Sequence, residues 1–195
     1  VTSAVAIIPA RGGSRRIPGK NHRLFHGQPI IAYSIQAAQV SGLFDLVVVS
    51  TDSDHIGDIA EIYGASVLKR DEEHSADAVG TQAVARNVLE ELAASGMKYD
   101  LACVIYATAP LMSVEDLKRG MTELEDQQAV FAMSVGTEPL SDAAQFYLGV
   151  ASAFGNTPLI DTRTVMIHID PARVCDINTE QDWQKAEQMY AKLKR

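Results

Sequence analysis

Short apolar runs alternate along this chain with longer segments of helical period. Ala4–Ile8 is a continuous apolar run, the pattern of a strand buried on both faces. Pro29 opens and Gly42 closes a segment in which Ile31, Ile35 and Ala38 fall at i, i+4 and i+7, which predicts a helix with both ends marked. Leu46–Val49 predicts the next strand. Ile56, Ile59, Ala60 and Tyr63 stripe a second helix, with Ser53 as its N-cap and Gly64 just past its end. Ser66–Leu68 is a short strand, and Val84, Val88 and Leu92 mark a helix that stops at Gly96. Leu101–Tyr106 is the strand candidate with the clearest buried pattern. Ser113 with Asp116 resembles a capping box and opens a helix to about Asp126. Ala129–Val135 and Thr164–Ile169 predict further strands, and Thr179 with Asp182 repeats the capping spacing before a last helix ending in Lys192, Lys194 and Arg195. The stretch Gly136–Pro158 has no clear period and is expected to be irregular.

Strand–helix alternation of this kind needs right-handed crossovers. It predicts a single α/β domain over residues 1–195: three α/β/α layers around a mostly parallel, Rossmann-like sheet of the nucleotide-diphospho-sugar transferase type. Ligands of such sheets bind beyond the carboxyl ends of the strands. Chemistry is therefore expected in the loops after Ile8, Val49, Leu68, Tyr106 and Val135.

Composition narrows the function classes. Apolar residues make up 47% and charged residues 22% of 195, so the chain can bury a core without a disulfide framework. Cys103 and Cys175 stand alone, which argues against a secreted thiol-rich scaffold and a cysteine zinc site. The net charge of −8 disfavours nucleic acid and anionic membranes as partners. No apolar run has the length of a spanning helix, and Val1–Ile8 lacks the basic start of a signal peptide, so a cytoplasmic setting is expected.

Against that acidic background one segment is strongly cationic. Pro9-Ala-Arg-Gly-Gly-Ser-Arg-Arg-Ile-Pro-Gly-Lys20-Asn21 holds Arg11, Arg15, Arg16 and Lys20 among three glycines, directly after the first strand. Glycines let backbone N–H groups approach an anion closely, and Arg and Lys add charge-assisted contacts to phosphate. The segment is not a Walker A loop, because Gly13 and Gly19 enclose five residues and Lys20 is followed by Asn21. It is not a Rossmann GxGxxG either. A solvated basic loop is the bland alternative, but packing gives no reason to gather four cations at a strand's carboxyl end.

The string IIPARGGSRRIPGKN resembles the signature loop of the nonulosonic acid and Kdo cytidylyltransferases, the enzymes that make CMP-activated acidic sugars. PIIAYSIQAA, VVVSTDSDHI, the Arg70–Thr81 stretch, YATAPL at Tyr106–Leu111 and DINTEQDW at Asp176–Trp183 carry the likeness along nearly the whole chain. YATAPL, Gln145-Phe-Tyr and the TRTV…IDPARV run look most like the pseudaminic acid branch.

The resemblance implies nucleotidyl transfer from CTP to an acidic sugar. It assigns Arg11 and Lys20 to catalysis and Ala10, Gly12, Gly13, Ser14 and Asn21 to the rest of a nucleotide cradle. Arg70 and Ser75 match a second nucleotide-contacting segment, and Thr108, Ala109 and Pro110 one beside the ribose and sugar. Gln145, Phe146 and Tyr147 match a segment near the acidic sugar, and Asp176 the first carboxylate of a metal pair for Mg2+. CTP, the acidic sugar and a second copy of the chain are the implied partners. Sialic acid or Kdo in place of pseudaminic acid, a sugar 1-phosphate acceptor, and a homologue that binds nucleotide without catalysis are the alternatives.

Two departures from the family pattern stand out. Asn178 occupies the place of the second carboxylate; an amide oxygen can coordinate Mg2+ but brings no negative charge, which predicts weaker metal binding, and helix capping beside Thr179 is the alternative role. Between Val135 and Asp142 the chain is much shorter than its relatives, which carry there a protruding arm used in pairing subunits. Either the arm is lacking or its residues are omitted from this sequence. Elsewhere, His22, His26, His55, His74 and His168 show no metal-ligand spacing. Asp52 and Asp54 are read mainly as helix N-terminal charges, with an active-site role as the alternative. Cys103 is read as a small apolar filler and Trp183 as a packing anchor.

Overall fold

The computed structural model describes residues 2–14, 16–70, 80–137 and 141–194. Among the described residues there are nine strands: β1 (Ala4–Pro9), β2 (Leu24–Phe25), β3 (Gln28–Pro29), β4 (Leu46–Thr51), β5 (Ser66–Lys69), β6 (Leu101–Ile105), β7 (Phe131–Gly136), β8 (Ser141–Val150) and β9 (Thr164–His168). The helices are α1 (Ile30–Ser41), α2 (Asp54–Ile62), α3 (Thr81–Ala94), α4 (Val114–Asp126) and α5 (Glu180–Leu193). Seven strands form one sheet in the order β5-β4-β1-β6-β8-β7-β9, and β2 pairs with β3 in a separate hairpin. Every ladder of the large sheet is parallel except those of β8, which runs antiparallel to both β6 and β7.

The signals that predict the helices also terminate them. Gly42 ends α1 in the left-handed region at φ 67°, where a side chain would be strained. Ser53 and Ser113 cap α2 and α4 by accepting from Ile56 N–H and Asp116 N–H. Thr179 and Asp182 form a complete capping box on α5. Helices α1, α2 and α4 lay Ile35, Ile56 and Leu117 on one face of the sheet, against Ile8, Val49 and Phe146. Helix α3 lays Val88 and Leu92 on the other, against Ile7, Val104 and Tyr147. The three-layer α/β fold expected from the sequence is the fold observed.

The stretch 136–158 departs from expectation. Ser141–Val150 is a ten-residue strand in the middle of the sheet, with Ala143–Gly149 buried. A strand covered on both faces is read from a continuous apolar run, and here Ser141, Asp142 and Gln145 interrupt it. A register shift opposite Met133–Val135, with Ala144 at φ 53°, disturbs the period further. The β2–β3 hairpin was also not foreseen. His26 and Gly27 both have positive φ, as a two-residue hairpin turn requires, but His-Gly is a weaker signal than Asn-Gly. The ladder of β7 and β8 runs to Gly136↔Ser141, so only residues 137–140 connect the two strands.

Candidate active site

The strand order reverses direction between β1 and β6: β4 and β5 lie on one side of β1, while β6 opens the other. The crevice beyond the carboxyl ends at such a switch point is where open α/β sheets hold ligands. The cationic loop leaves β1 at that point. Its first residue continues the ladder, since Ala10 N–H donates to Ser50 O at 2.9 Å and the side chain is fully buried. Gly12 then passes close to the loop after β4: its N–H donates to Asp52 Oδ1 at 2.7 Å, and a Cβ there would stand 3.0 Å from Ser53 Cβ. Gly13 faces open space, leaving its backbone approachable. Ser14 N–H turns back onto Gly12 O at 3.2 Å.

The far end of the loop is fastened in four ways. Gly19, at φ 65°, makes the turn that brings Lys20 round, and His22 packs beneath it. Asn21 Nδ2 donates to Arg11 O at 2.9 Å and so ties the two ends together. Ile17 is fully buried in a small cluster with Phe25, Ile30, Ile177 and Trp183. The same cluster anchors Ile177, so the residues either side of it, Asp176 and Asn178, are carried to the edge of the loop. Lys20 Nζ closes the gap by donating to Ile177 O at 2.8 Å.

Burial pushes the Lys20 ammonium below the ordinary lysine value; Asp176 opposes that shift, while Arg16 and Arg11 add to it. Arg70, half-buried at the end of β5, hydrogen-bonds through its N–H to Thr51 O at 2.8 Å and through Nη2 to Ser50 O at 3.2 Å. Its pKa is lowered first by burial, with Asp52 acting against and Arg11 with the shift. Arg11, Lys20 and Arg70 thus converge on one mouth. Asp52 belongs there too. The helix-charge account fits Asp54, which lies in the first turn of α2, but Asp52 precedes the cap and holds the Gly12 amide instead.

The other expected residues separate into lining and support. Thr108, Ala109 and Pro110 directly follow β6 and are almost wholly buried. Gln145 Nε2 donates to Arg173 O at 2.7 Å and is 2% exposed. Phe146 is fully buried under α4, where a Cβ on Gly120 would stand 2.9 Å from its ring, so its side chain serves the core rather than a sugar. Tyr147 is buried as well, its hydroxyl donating to Thr81 Oγ1 at 2.8 Å. Ser75, like Arg15 and His74, lies outside the described residues. Asp176 is exposed and receives a short hydrogen bond from Asn178 Nδ2. Asn178 does not cap α5 with its side chain; Thr179 does.

Sequence reasoning missed Tyr106 and Asp142. Tyr106 Oη donates to Asp142 Oδ2 at 3.1 Å, and Asp142 Oδ1 accepts from Ala144 N–H at 2.7 Å, so the bulge in β8 aims an exposed carboxylate at the end of β6. Burial, then Asp142, raises the Tyr106 phenol well above its usual value, which keeps it a donor.

Among the described residues no three His, Cys, Asp or Glu side chains stand together as a ready metal cage. Asp176 and Asn178 nevertheless fit a hard cation that takes its remaining ligands from phosphate and water. With the amide turned over, Asn178 Oδ1 sits where Nδ2 meets Asp176, and the pair offers two oxygens.

Compared with known proteins, residues 5–186 match the model of a family described as cytidylyltransferase. The chain belongs to that family. This cytidylyltransferase is therefore a nucleotidyltransferase that uses CTP. It is 34% identical to the pseudaminic acid cytidylyltransferase of Campylobacter jejuni, over 95% of each chain. That alignment runs to 221 positions, more than the 195 residues of the cytidylyltransferase described here, so the relative carries residues this chain lacks. The fold is that of a CMP:2-keto-3-deoxy-manno-octonic acid synthetase solved with CTP, at a TM-score of 0.74 and 14% identity over 98% of this chain and all of the other. A Mycobacterium tuberculosis protein solved with manganese has it too, at a TM-score of 0.68 and 13% identity over 96% and 99%. Among the described residues no helix is long and apolar enough to cross a membrane.

Proposed function

We propose that this cytidylyltransferase joins CTP to an acidic nine-carbon sugar of the pseudaminic type, giving CMP-sugar and pyrophosphate. The observation that carries the reading is the placement of Lys20: half-buried, beside Asp176, at the closed end of a glycine-rich cationic loop at the switch point. The 34% identity to the Campylobacter enzyme supports the choice of sugar.

The anomeric hydroxyl attacks the α-phosphorus. A new O–P bond forms as the α–β phosphoanhydride breaks, pyrophosphate leaves with the electron pair, and the hydroxyl proton passes to solvent water. Catalysis then consists mainly of positioning and charge stabilisation. Arg11 and Lys20 hold the β- and γ-phosphates and neutralise the leaving group, and the amides of residues 13 and 14 add donors that need no reorganisation. Arg70 supports the same phosphates from the β4 side. Thr108, Ala109 and Pro110 shape the pocket for ribose and sugar, and the Tyr106–Asp142 pair borders the acceptor side. Asp176 and Asn178 would hold Mg2+, which when bound polarises the α-phosphate and orients the attacking oxygen. CTP as donor, together with two unpaired cysteines, favours the cytoplasm.

The test is incubation with CTP, Mg2+ and, separately, pseudaminic acid, an N-acylneuraminic acid and Kdo, with products read by mass spectrometry. Formation of CMP-pseudaminic acid at the highest rate is expected. A product with Kdo alone would reassign the acceptor, and no CMP-sugar with any acid would overturn the reading.

A further inference from the structure

A polar network around Asp116 is used by none of the steps above. Asp116, in the first turn of α4, is 3% exposed yet carries a carboxylate. Its Oδ2 accepts from Arg173 Nη2 at 2.5 Å and from Ser113 Oγ at 2.9 Å, and its Oδ1 faces Arg119 Nη2 at 3.1 Å. Arg119 Nη2 also donates to His168 O at 2.5 Å, where β9 ends. From the sheet side, Gln145 Nε2 reaches Arg173 O at 2.7 Å. The segment between β9 and Asp176 is therefore fastened at both His168 and Arg173, to a helix and to the central strand β8.

An ion pair this far out of water is weak evidence of stabilisation, since desolvating the charges offsets much of their attraction, but its charge-assisted hydrogen bonds, with the one from Gln145, hold the segment at set partners. What it fixes here lies three residues further on. Asp176 follows Arg173 with only Val174 and Cys175 between, and Ile177 then enters the cluster that also holds Ile17 of the cationic loop. Arg173 sets one end of this short span and Ile177 the other.

We propose that Arg173 is a positioning residue: through its ion pair with Asp116 it sets where Asp176 stands opposite Lys20. The inference rests on the function proposed above. Because a displacement of about 1 Å near reacting groups costs on the order of 10²-fold in rate, Arg173 should govern turnover far more than nucleotide binding.

The experiment measures pyrophosphate release at saturating substrates, CTP affinity by calorimetry and the thermal midpoint for Arg173→Ala, Arg173→Lys and the isosteric Asp116→Asn. For Arg173→Ala, kcat should fall about 30- to 100-fold while the CTP Kd stays within about threefold. Arg173→Lys, which restores a cation without the planar fork, should return kcat to within about tenfold of the parent. Asp116→Asn should lower kcat at least about tenfold, and it decides the question should Arg173→Ala fail to fold. Turnover per folded molecule within about threefold of the parent in Asp116→Asn and in the foldable Arg173 variants, with only the melting point lowered, would overturn the inference. Equal losses of kcat and CTP affinity would overturn it as well. A parent protein that binds CTP but releases no pyrophosphate defeats the proposed function itself, and the inference with it.

Discussion

Lys20 is asked for two things that oppose each other. Its ammonium must meet phosphate, yet its stem and head are largely taken out of water, which lowers its pKa. The sign follows directly. The charged form is disfavoured by folding, so Lys20 costs stability wherever the unfolded lysine is protonated, below its ordinary value of 10.5, and that cost fades as pH rises through the lowered folded value. Lys20→Met should therefore leave the neutral-pH melting point equal or higher while turnover drops at least about 10²-fold, the scale of losing one charge-stabilising donor. Scanning fluorimetry and pyrophosphate release check both halves, and a lower melting point would refute the first. Arg11→Ala should lose turnover on the same scale. In the parent, CTP affinity should begin to fall at a pH below 10.5, as the ammonium is lost.

Asn178 makes a second residue-level prediction. Its amide donates to Asp176, so the pair is held together without metal. Asn178→Asp replaces that hydrogen bond by two adjacent carboxylates, which repel. The variant should melt at a lower temperature than the parent in chelator and gain more from added Mg2+ and CTP, by linkage to a cation that binds only the folded state. A melting point indifferent to metal would contradict the metal assignment.

At the scale of elements, the cationic loop is firm because hydrophobic residues hold both its neighbours. Trp183 of α5 is 1% exposed, packs edge-on to Phe25, and lies under the Arg23 guanidinium at 4.4 Å. Trp183→Ala should cost about 3–5 kcal/mol by denaturant titration, the range for emptying a buried aromatic site, and should loosen Ile17 and Ile177 together. In β8, Ala144 sits at φ 53°, a conformation that costs an L-residue about 1–2 kcal/mol. Ala144→Gly should relieve part of that strain without moving Asp142, seen as a slightly raised melting point. Capped helices and the uninterrupted apolar strands, β1 and β6 among them, were legible because their signals are local: Ser53, Ser113 and the Thr179–Asp182 box each act within one turn. Strand β8 was not, because Asp142 and Gln145 interrupt its apolar run and the register shift at Ala144 breaks its period, and the partners that pay for both are supplied only by the fold.

Across the whole molecule, the switch point between β1 and β6 explains why residues far apart in sequence share one crevice. Arg11, Lys20, Arg70 and Asp176 could be singled out from the chain because cations among glycines are rare in an acidic protein and because the strings around them resemble a family. Asp52 could be named only as an alternative, and Tyr106, Asp142, Asp116 and Arg173 could not be assigned a place in the site. Each acts through a hydrogen bond to a partner that only the fold brings near, such as Gly12 for Asp52 or α4 for Arg173. The claim on which the rest depends is that the loop after β1 grips the triphosphate. A crystal structure with CTP tests it most directly. The account predicts the β- and γ-phosphates within hydrogen-bonding distance of Lys20 Nζ, the Arg11 guanidinium and the amides of residues 13 and 14; CTP bound elsewhere, with that loop turned away from it, would contradict the account.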